Sequence, residues 1–203
     1  MRRRLLALLL VLALPVIGAC GGTSAGGGSE RTVTVTRTVF TTPGSSVPVP
    51  ADGPLTASGF KAISAGLRKL LGRDPLLLEI GLYDAYAFFR VYDRTTGFAD
   101  DYNWRDGAFA PPQPYKLGTT DLPRTLFALE EVSPDAPDRF LRAIAKIPLD
   151  GAGDDSPSVL ILRDYGGGDA PGPIVLRSSL DGTRQYLSIK GDSRGAIIDK
   201  QYS

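Results

Sequence analysis

Two consecutive stretches, LLLEIGLYD at residues 76–84 and AYAFFRVYD at residues 85–93, put apolar side chains at every second position. A period of two excludes a helix, whose apolar face repeats every 3.6 residues, and demands extended strands with one buried side. Leu76, Leu78, Ile80 and Leu82 fall on one side of the first stretch, and Ala87, Phe89 and Val91 on one side of the second. Strands this close along the chain pair antiparallel, so any fold of this chain must contain an antiparallel sheet.

A helix is predicted immediately upstream. Ser58 is placed to cap it, Phe60, Ile63, Leu67, Leu70 and Leu71 recur at helical spacing, and Gly72 followed by Pro75 ends it. After RTTG at 94–97 a third strand is expected over 101–105, then a hairpin at Asp106-Gly107 and a short extended piece that PPQP interrupts. The pattern then restarts. A connection over 119–132, with a short helix expected around 123–129, leads to Ser133-Pro134, a cap with proline in the first turn. Phe140, Leu141, Ile144 and Ile147 form the next helical stripe, which Pro148 and the glycine-rich DGAGDDSP end. Strands are predicted at 159–163, 174–180, 185–190 and 196–199, with turns at GGGDAPG, Asp181-Gly182 and GDSRG.

The expected fold class is therefore α+β, a helix on one face of an antiparallel sheet. Both halves, 54–118 and 119–203, read as one helix followed by an antiparallel meander. In each, a tyrosine-bearing strand (DDYNWRDGAF and RQYLSIKGDSRGAI) precedes a turn and a short apolar end, which points to a tandem pseudo-repeat. In element order and size, residues 54–203 resemble the PepSY and beta-lactamase-inhibitor-protein-like group of tandem helix-plus-sheet modules. That resemblance rests on pattern, with no diagnostic motif, and implies a shape and a binding or inhibitory role.

The chain has one cysteine and no histidine. Cys20 follows Arg2, Arg3 and Arg4, an uncharged run from 5 to 17, and Gly18-Ala19, the charged, apolar and small-residue order of a secretory signal. The apolar run is too short to span roughly 30 Å of hydrocarbon, so residues 1–19 read as a removed signal peptide rather than a permanent span. Ile17-Gly18-Ala19-Cys20 resembles the lipobox of bacterial lipoproteins. The resemblance implies cleavage before Cys20, acylation of its sulfur, and attachment to the outer face of the cell membrane. Two or three acyl chains hold far more firmly than one. With Cys20 so used, no disulfide is available and the exported domain must rely on its core.

Residues 20–53 change character. They are rich in Gly, Ser, Thr, Val and Pro, the composition of a tether, and would hold a domain on the order of 30 Å from the anchor. Within it, TVTVTRTVF at 32–40 alternates like a strand, and its threonines are candidate sugar carriers.

Chemistry is sparse. Without histidine the usual general base near neutral pH and the commonest metal ligand are missing. GTSAG at 22–26 and GDSRG at 191–195 have the look of hydrolase nucleophile loops, and Ser58 with Lys61 matches Ser-x-x-Lys, but each lacks its partners and reads better as tether, turn and helix start. Asp150, Asp154 and Asp155 in one loop, and Asp100, Asp101, Asn103 and Asp106 in another, lack EF-hand spacing and read as solvated turns, so neither a metal nor a cofactor is expected. A hydrolase working on carboxylates alone, such as Asp93, Asp101 and Asp106, is the remaining enzymatic reading. The near balance of 23 basic and 22 acidic residues, with no basic run, argues against a nucleic-acid partner.

The positive signal is aromatic. Tyr83, Tyr86, Phe88, Phe89, Tyr92, Phe98, Tyr102, Trp104, Phe109 and Tyr115 crowd the first half. If Ala87, Phe89 and Val91 face the helix, then Tyr86, Phe88, Arg90 and Tyr92 stand on the opposite sheet face, with Tyr83 beside them. Tyr83, Phe88, Arg90, Tyr92 and Trp104 are thus the expected contact residues for a protein or cell-wall partner. Alternatively, the 110–129 connection covers that face, or the protein is a carrier or sensor at the membrane surface that encloses a small apolar molecule between helix and sheet.

Overall fold

The structure, a computed structural model, describes residues 53–118, 122–148, 157–164, 170–182 and 185–203. The signal, Cys20, the tether as far as residue 52, the Asp150 to Asp155 loop and the GGGD part of the GGGDAPG turn lie outside the described residues.

Helix α1 (Ala57–Leu71) is capped by Thr56, whose hydroxyl accepts a 3.0 Å hydrogen bond from the Gly59 amide. The cap therefore lies two residues before the expected Ser58, which sits in the first turn. Gly72, at φ 65°, takes the left-handed conformation that ends the helix. Strands β1 (Leu76–Tyr83), β2 (Tyr86–Asp93) and β3 (Phe98–Arg105) follow as an antiparallel meander. The third strand begins three residues earlier than predicted. Asp106 and Gly107 turn the chain with φ of 51° and 83°, the positive pair a two-residue hairpin needs, into β4 (Ala108–Phe109). The connection then adds β5 (Gln113–Tyr115) alongside β3, the short helix α2 (Leu122–Thr125), β6 (Phe127–Ala128) alongside β1, and a 3-10 turn at Leu129–Glu131.

Helix α3 (Ala136–Ile144) starts later than Ser133-Pro134 suggested, because Asp135 is the N-cap residue and Pro137 occupies the first turn. Strands β7 (Ser158–Arg163), β8 (Ile174–Asp181), β9 (Tyr186–Asp192) and β10 (Ile197–Tyr202) form a second antiparallel meander. GDSRG is the β9–β10 turn: Asp192 accepts from the Arg194 and Ala196 amides at 2.9 Å each, and Gly195 has a φ of 83°.

The two meanders are one sheet. β1 and β7, the first strands of their respective runs, pair antiparallel, which gives the order β10-β9-β8-β7-β1-β2-β3-β4. Both helices bury their stripes on one face of it. Phe60, Ile63 and Leu67 from α1 and Phe140 and Ile144 from α3 share a single core with Leu77, Ile80, Leu82, Phe89, Ile161, Leu187 and Ile189. This is the α+β arrangement expected, built on one continuous sheet. The space between α1 and the sheet is filled, with Phe60, Ile63, Leu67, Ile80, Leu82 and Phe89 all at 2% exposure or less.

One irregularity decides which side chains face the core. The β1–β2 register shifts between Leu77 and Glu79, a bulge that places Leu77 opposite Val91 and Ile80 opposite Phe89. Leu77 is buried while Leu76 and Leu78 are only half-buried, so the expected Leu76, Leu78, Ile80, Leu82 series is corrected to Leu77, Ile80 and Leu82.

Candidate interaction face

The sheet face turned away from α1 and α3 begins with β2. Ala87, Phe89 and Val91 are buried in the core, so Tyr86, Phe88, Arg90 and Tyr92 point the other way, each half-buried. Cross-strand register adds Glu79, Gly81 and Tyr83 from β1 and Ala99, Asp101, Asn103 and Arg105 from β3.

Arg90 is the centre of this face. Its Nε donates to Asp101 Oδ1 at 2.9 Å and its Nη2 to Asp101 Oδ2 at 3.2 Å, while Nη1 donates to Glu79. The guanidinium lies 3.6 Å from the Tyr115 ring centroid and 5.6 Å from that of Phe88. A planar cation between two carboxylates and under a ring is well matched to guanidinium geometry. Burial pushes the Glu79 carboxyl above its ordinary range, against the pull of Arg90. Arg90 is thereby an organiser of the face, with its donors committed within the chain.

Phe88 lies over Gly81, directly opposite on β1, where any Cβ would collide with the ring. The ring thus occupies the place a side chain would take. Tyr83 and Tyr86, flanking the β1–β2 turn, stack with centroids 4.2 Å apart and planes 9° from parallel, and Arg105 lies 5.1 Å from the Tyr86 ring. Burial, then the Tyr86 neighbour, holds the Tyr83 phenol above its ordinary pKa.

Of the expected contact residues, Tyr83, Phe88, Arg90 and Tyr92 are brought together here. Trp104 is not. It pairs with Ala87, is 2% exposed, and belongs to the core on the opposite side, with its indole N–H lacking a partner. The four-residue β2–β3 loop, which sets Asp93 opposite Phe98, fixes that parity and was the readable signal for it. Counting back from the same loop sets Arg90 opposite Asp101, a pair the sequence reading also passed over. Tyr115 had no such signal, because it arrives through β5 after the proline break. It covers Arg90, so part of the 110–129 connection does lie over this face.

Beyond β1 the face changes. Leu160 and Leu162 of β7 and Val175 of β8 give an apolar strip, then Arg177 and Lys190 converge on Asp164 at 3.1 and 2.8 Å. Hydrogen bonding from Lys190 draws the Asp164 pKa below its ordinary value. A shallow cavity of 240 Å³ opens beside them, lined by Arg177, Ser188, Lys190, Asp199 and Gln201.

Of the carboxylates weighed for catalysis, Asp101 binds Arg90 and Asp93 accepts from the Thr95 amide at 2.9 Å, while Asp106 contributes its backbone to the hairpin turn. Among the described residues no three acidic or cysteine side chains gather where they could hold a metal, and no helix is long and apolar enough to cross a membrane. No protein-family model, curated protein or solved structure matches this chain.

Proposed function

We propose that this chain is a lipid-anchored protein of the cell envelope that binds a protein or cell-wall partner through the sheet face carrying Tyr83, Phe88 and Tyr92, and performs no chemistry. The observation that supports it is the aromatic ladder on the face opposite α1 and α3: the Tyr83–Tyr86 stack, Phe88 and Tyr92, all partly exposed, set around the fixed Arg90 cluster. Tyrosine, phenylalanine and arginine held in place lose little entropy when a partner covers them. Anchoring follows from the signal and lipobox pattern ending at Cys20, with the mature chain on the outer membrane face and the 20–53 tether giving reach. Neither a cofactor nor a nucleic acid forms part of this reading.

We read the architecture as a tandem repeat of one helix and an antiparallel meander, joined through β1 and β7. Support comes from the shared order of elements and from the antiparallel pairing of the two first strands. The carrier alternative has the close-packed core between α1 and the sheet against it.

The test replaces Tyr83, Phe88 and Tyr92 together by alanine and leaves Arg90 intact, so that Glu79 and Asp101 stay neutralised. Partner recovery by crosslinking from intact cells is expected to fall at least tenfold while Trp104 fluorescence remains that of the folded protein. Unchanged recovery removes this face from the function. For the anchor, Cys20→Ser is expected to release the protein from membranes or leave it unprocessed, and normal retention would refute the attachment.

A further inference from the structure

The cavity beside Arg177 and Lys190 differs in lining from the aromatic end of the same face, yet strand register joins the two. Paired residues on the face away from the helices form one row straight across the sheet. Phe88 lies opposite Gly81, Gly81 opposite Leu160, Leu160 opposite Arg177, Arg177 opposite Lys190, and Lys190 opposite Asp199. With strands about 4.8 Å apart, the row runs on the order of 24 Å from β2 to β10. A second row, two residues along each strand, carries Tyr83 at one end and Ser188 and Gln201 at the other.

The cavity is lined by hydrogen-bonding groups: Arg177 and Lys190 donate, Asp199 accepts, and Ser188 and Gln201 do either. These groups are accessible, with the Arg177 and Lys190 side chains 45% and 29% exposed and Ser188, Asp199 and Gln201 exposed. Ile189, which also lines it, is 0% exposed, so a hydrocarbon finds no surface there. Charge is balanced. Arg177 and Lys190 both bind Asp164, which hydrogen bonding from Lys190 keeps ionised, and Asp199 supplies a second carboxylate. An anion would meet Asp164 and Asp199, and a cation would meet Arg177 and Lys190. A neutral molecule bearing hydroxyls meets neither repulsion, and because each hydroxyl both donates and accepts it matches the mixed lining. A cavity of about 150 Å³ holds benzene, so 240 Å³ accommodates one sugar ring.

We propose, on the footing that the sheet face is the docking surface, that its occupant is a neutral cell-wall polysaccharide, one sugar seated against Arg177, Ser188, Lys190 and Gln201 and the following sugars crossing Leu160 toward the Phe88 and Tyr83 rings. A sugar ring carries an apolar C–H side as well as hydroxyls, and C–H groups suit the negative face of an aromatic ring, so both ends of the row serve one polymer. A protein partner would instead call for accessible apolar anchors at the centre of the face, where the row has only half-buried Leu160 beside Arg177.

The test is sedimentation of the full chain, in phosphatidylcholine nanodiscs, with walls of the cells that make it, freed of protein and lipid. Polysaccharide released from the same walls, split on an anion exchanger into neutral and charged fractions, supplies the competitors. The chain is expected to sediment with the walls, to be displaced by the neutral fraction alone, and to keep its affinity within about twofold between about 0.05 and 0.5 M salt, since screening does not touch a neutral partner. Ser188→Ala with Gln201→Ala, both at exposed positions, is expected to weaken sedimentation about tenfold, the worth of two neutral hydrogen bonds, with the melting temperature unchanged. Any of three results would overturn the polysaccharide: no sedimentation; displacement by the charged fraction or loss of binding at high salt; or full affinity in the Ser188 and Gln201 double variant. The docking face itself is read separately, by crosslinked partner recovery with the Tyr83, Phe88 and Tyr92 variant. Loss of recovery there without any sedimentation on walls keeps the face and puts a protein on it.

Discussion

Removing the Arg90 guanidinium would leave Glu79 on β1 and Asp101 on β3, either side of β2, with no cation between them. Such a loss falls between an exposed pair, worth under about 1 kcal/mol, and a fully buried one, where breaking costs about 3–5 kcal/mol. Arg90→Leu is therefore expected to lower unfolding stability by about 2 kcal/mol, read from urea midpoints, and the triple variant with Glu79→Gln and Asp101→Asn to recover most of it. The acidic groups of this face respond to pH in opposite directions. Burial raises the Glu79 pKa in the folded state, so its contribution is fully present below the ordinary value of 4.5 and is lost as pH rises through the folded value. Asp164 is lowered by Lys190, so its contribution is present above 3.8 and is lost as pH falls through the folded value. Glu79→Gln should thus flatten the decline in stability on going up from about pH 4.5, and Asp164→Asn the decline on going down from about pH 4. Urea midpoints at stepped pH read both, and slopes identical to the unmodified protein would contradict the assignments.

At the scale of the elements, β1 and β2 meet through a glycine and a phenylalanine. Gly81→Ala is expected to destabilise by about 2 kcal/mol, because the Phe88 ring has to leave its seat, and Phe88→Ala placed on top should recover part of that loss. Thr56→Ala should cost about 1 kcal/mol through the lost α1 cap, whereas Ser58→Ala should cost less. The sequence made the helices, the order of strands and the outward series on β2 readable, since an unbroken period of two is local information. It concealed the β1 bulge, because a run of three leucines at 76–78 fits either parity and only pairing with Val91 and Phe89 chooses Leu77. It also concealed the true cap of α1, since threonine and serine two residues apart are equally good candidates. Trp104 joins the core because the β2–β3 loop imposes a parity that the density of aromatic residues does not carry. Tyr115 over Arg90 depended on tertiary structure alone.

At the scale of the molecule, β1 and β7 lie inside the sheet and the core draws on both meanders. Unfolding is expected to be one transition, with Trp104 fluorescence and far-ultraviolet dichroism superimposing, and residues 53–118 alone should give no cooperative melt. Separate transitions by the two probes would mean that the halves stand independently. The outermost strand β10 bonds to β9 alone, and the β9–β10 register shifts between Ile197 and Asp199, leaving Ile198 kinked outward beside Asp199 and Lys200. A smooth, uncharged border would let neighbouring copies zip together into fibres, and kinks and charges on outer strands are a common deterrent. Wherever these molecules are packed side by side, the bulge at Ile198 and the charges of Asp199 and Lys200 guard this border against growth.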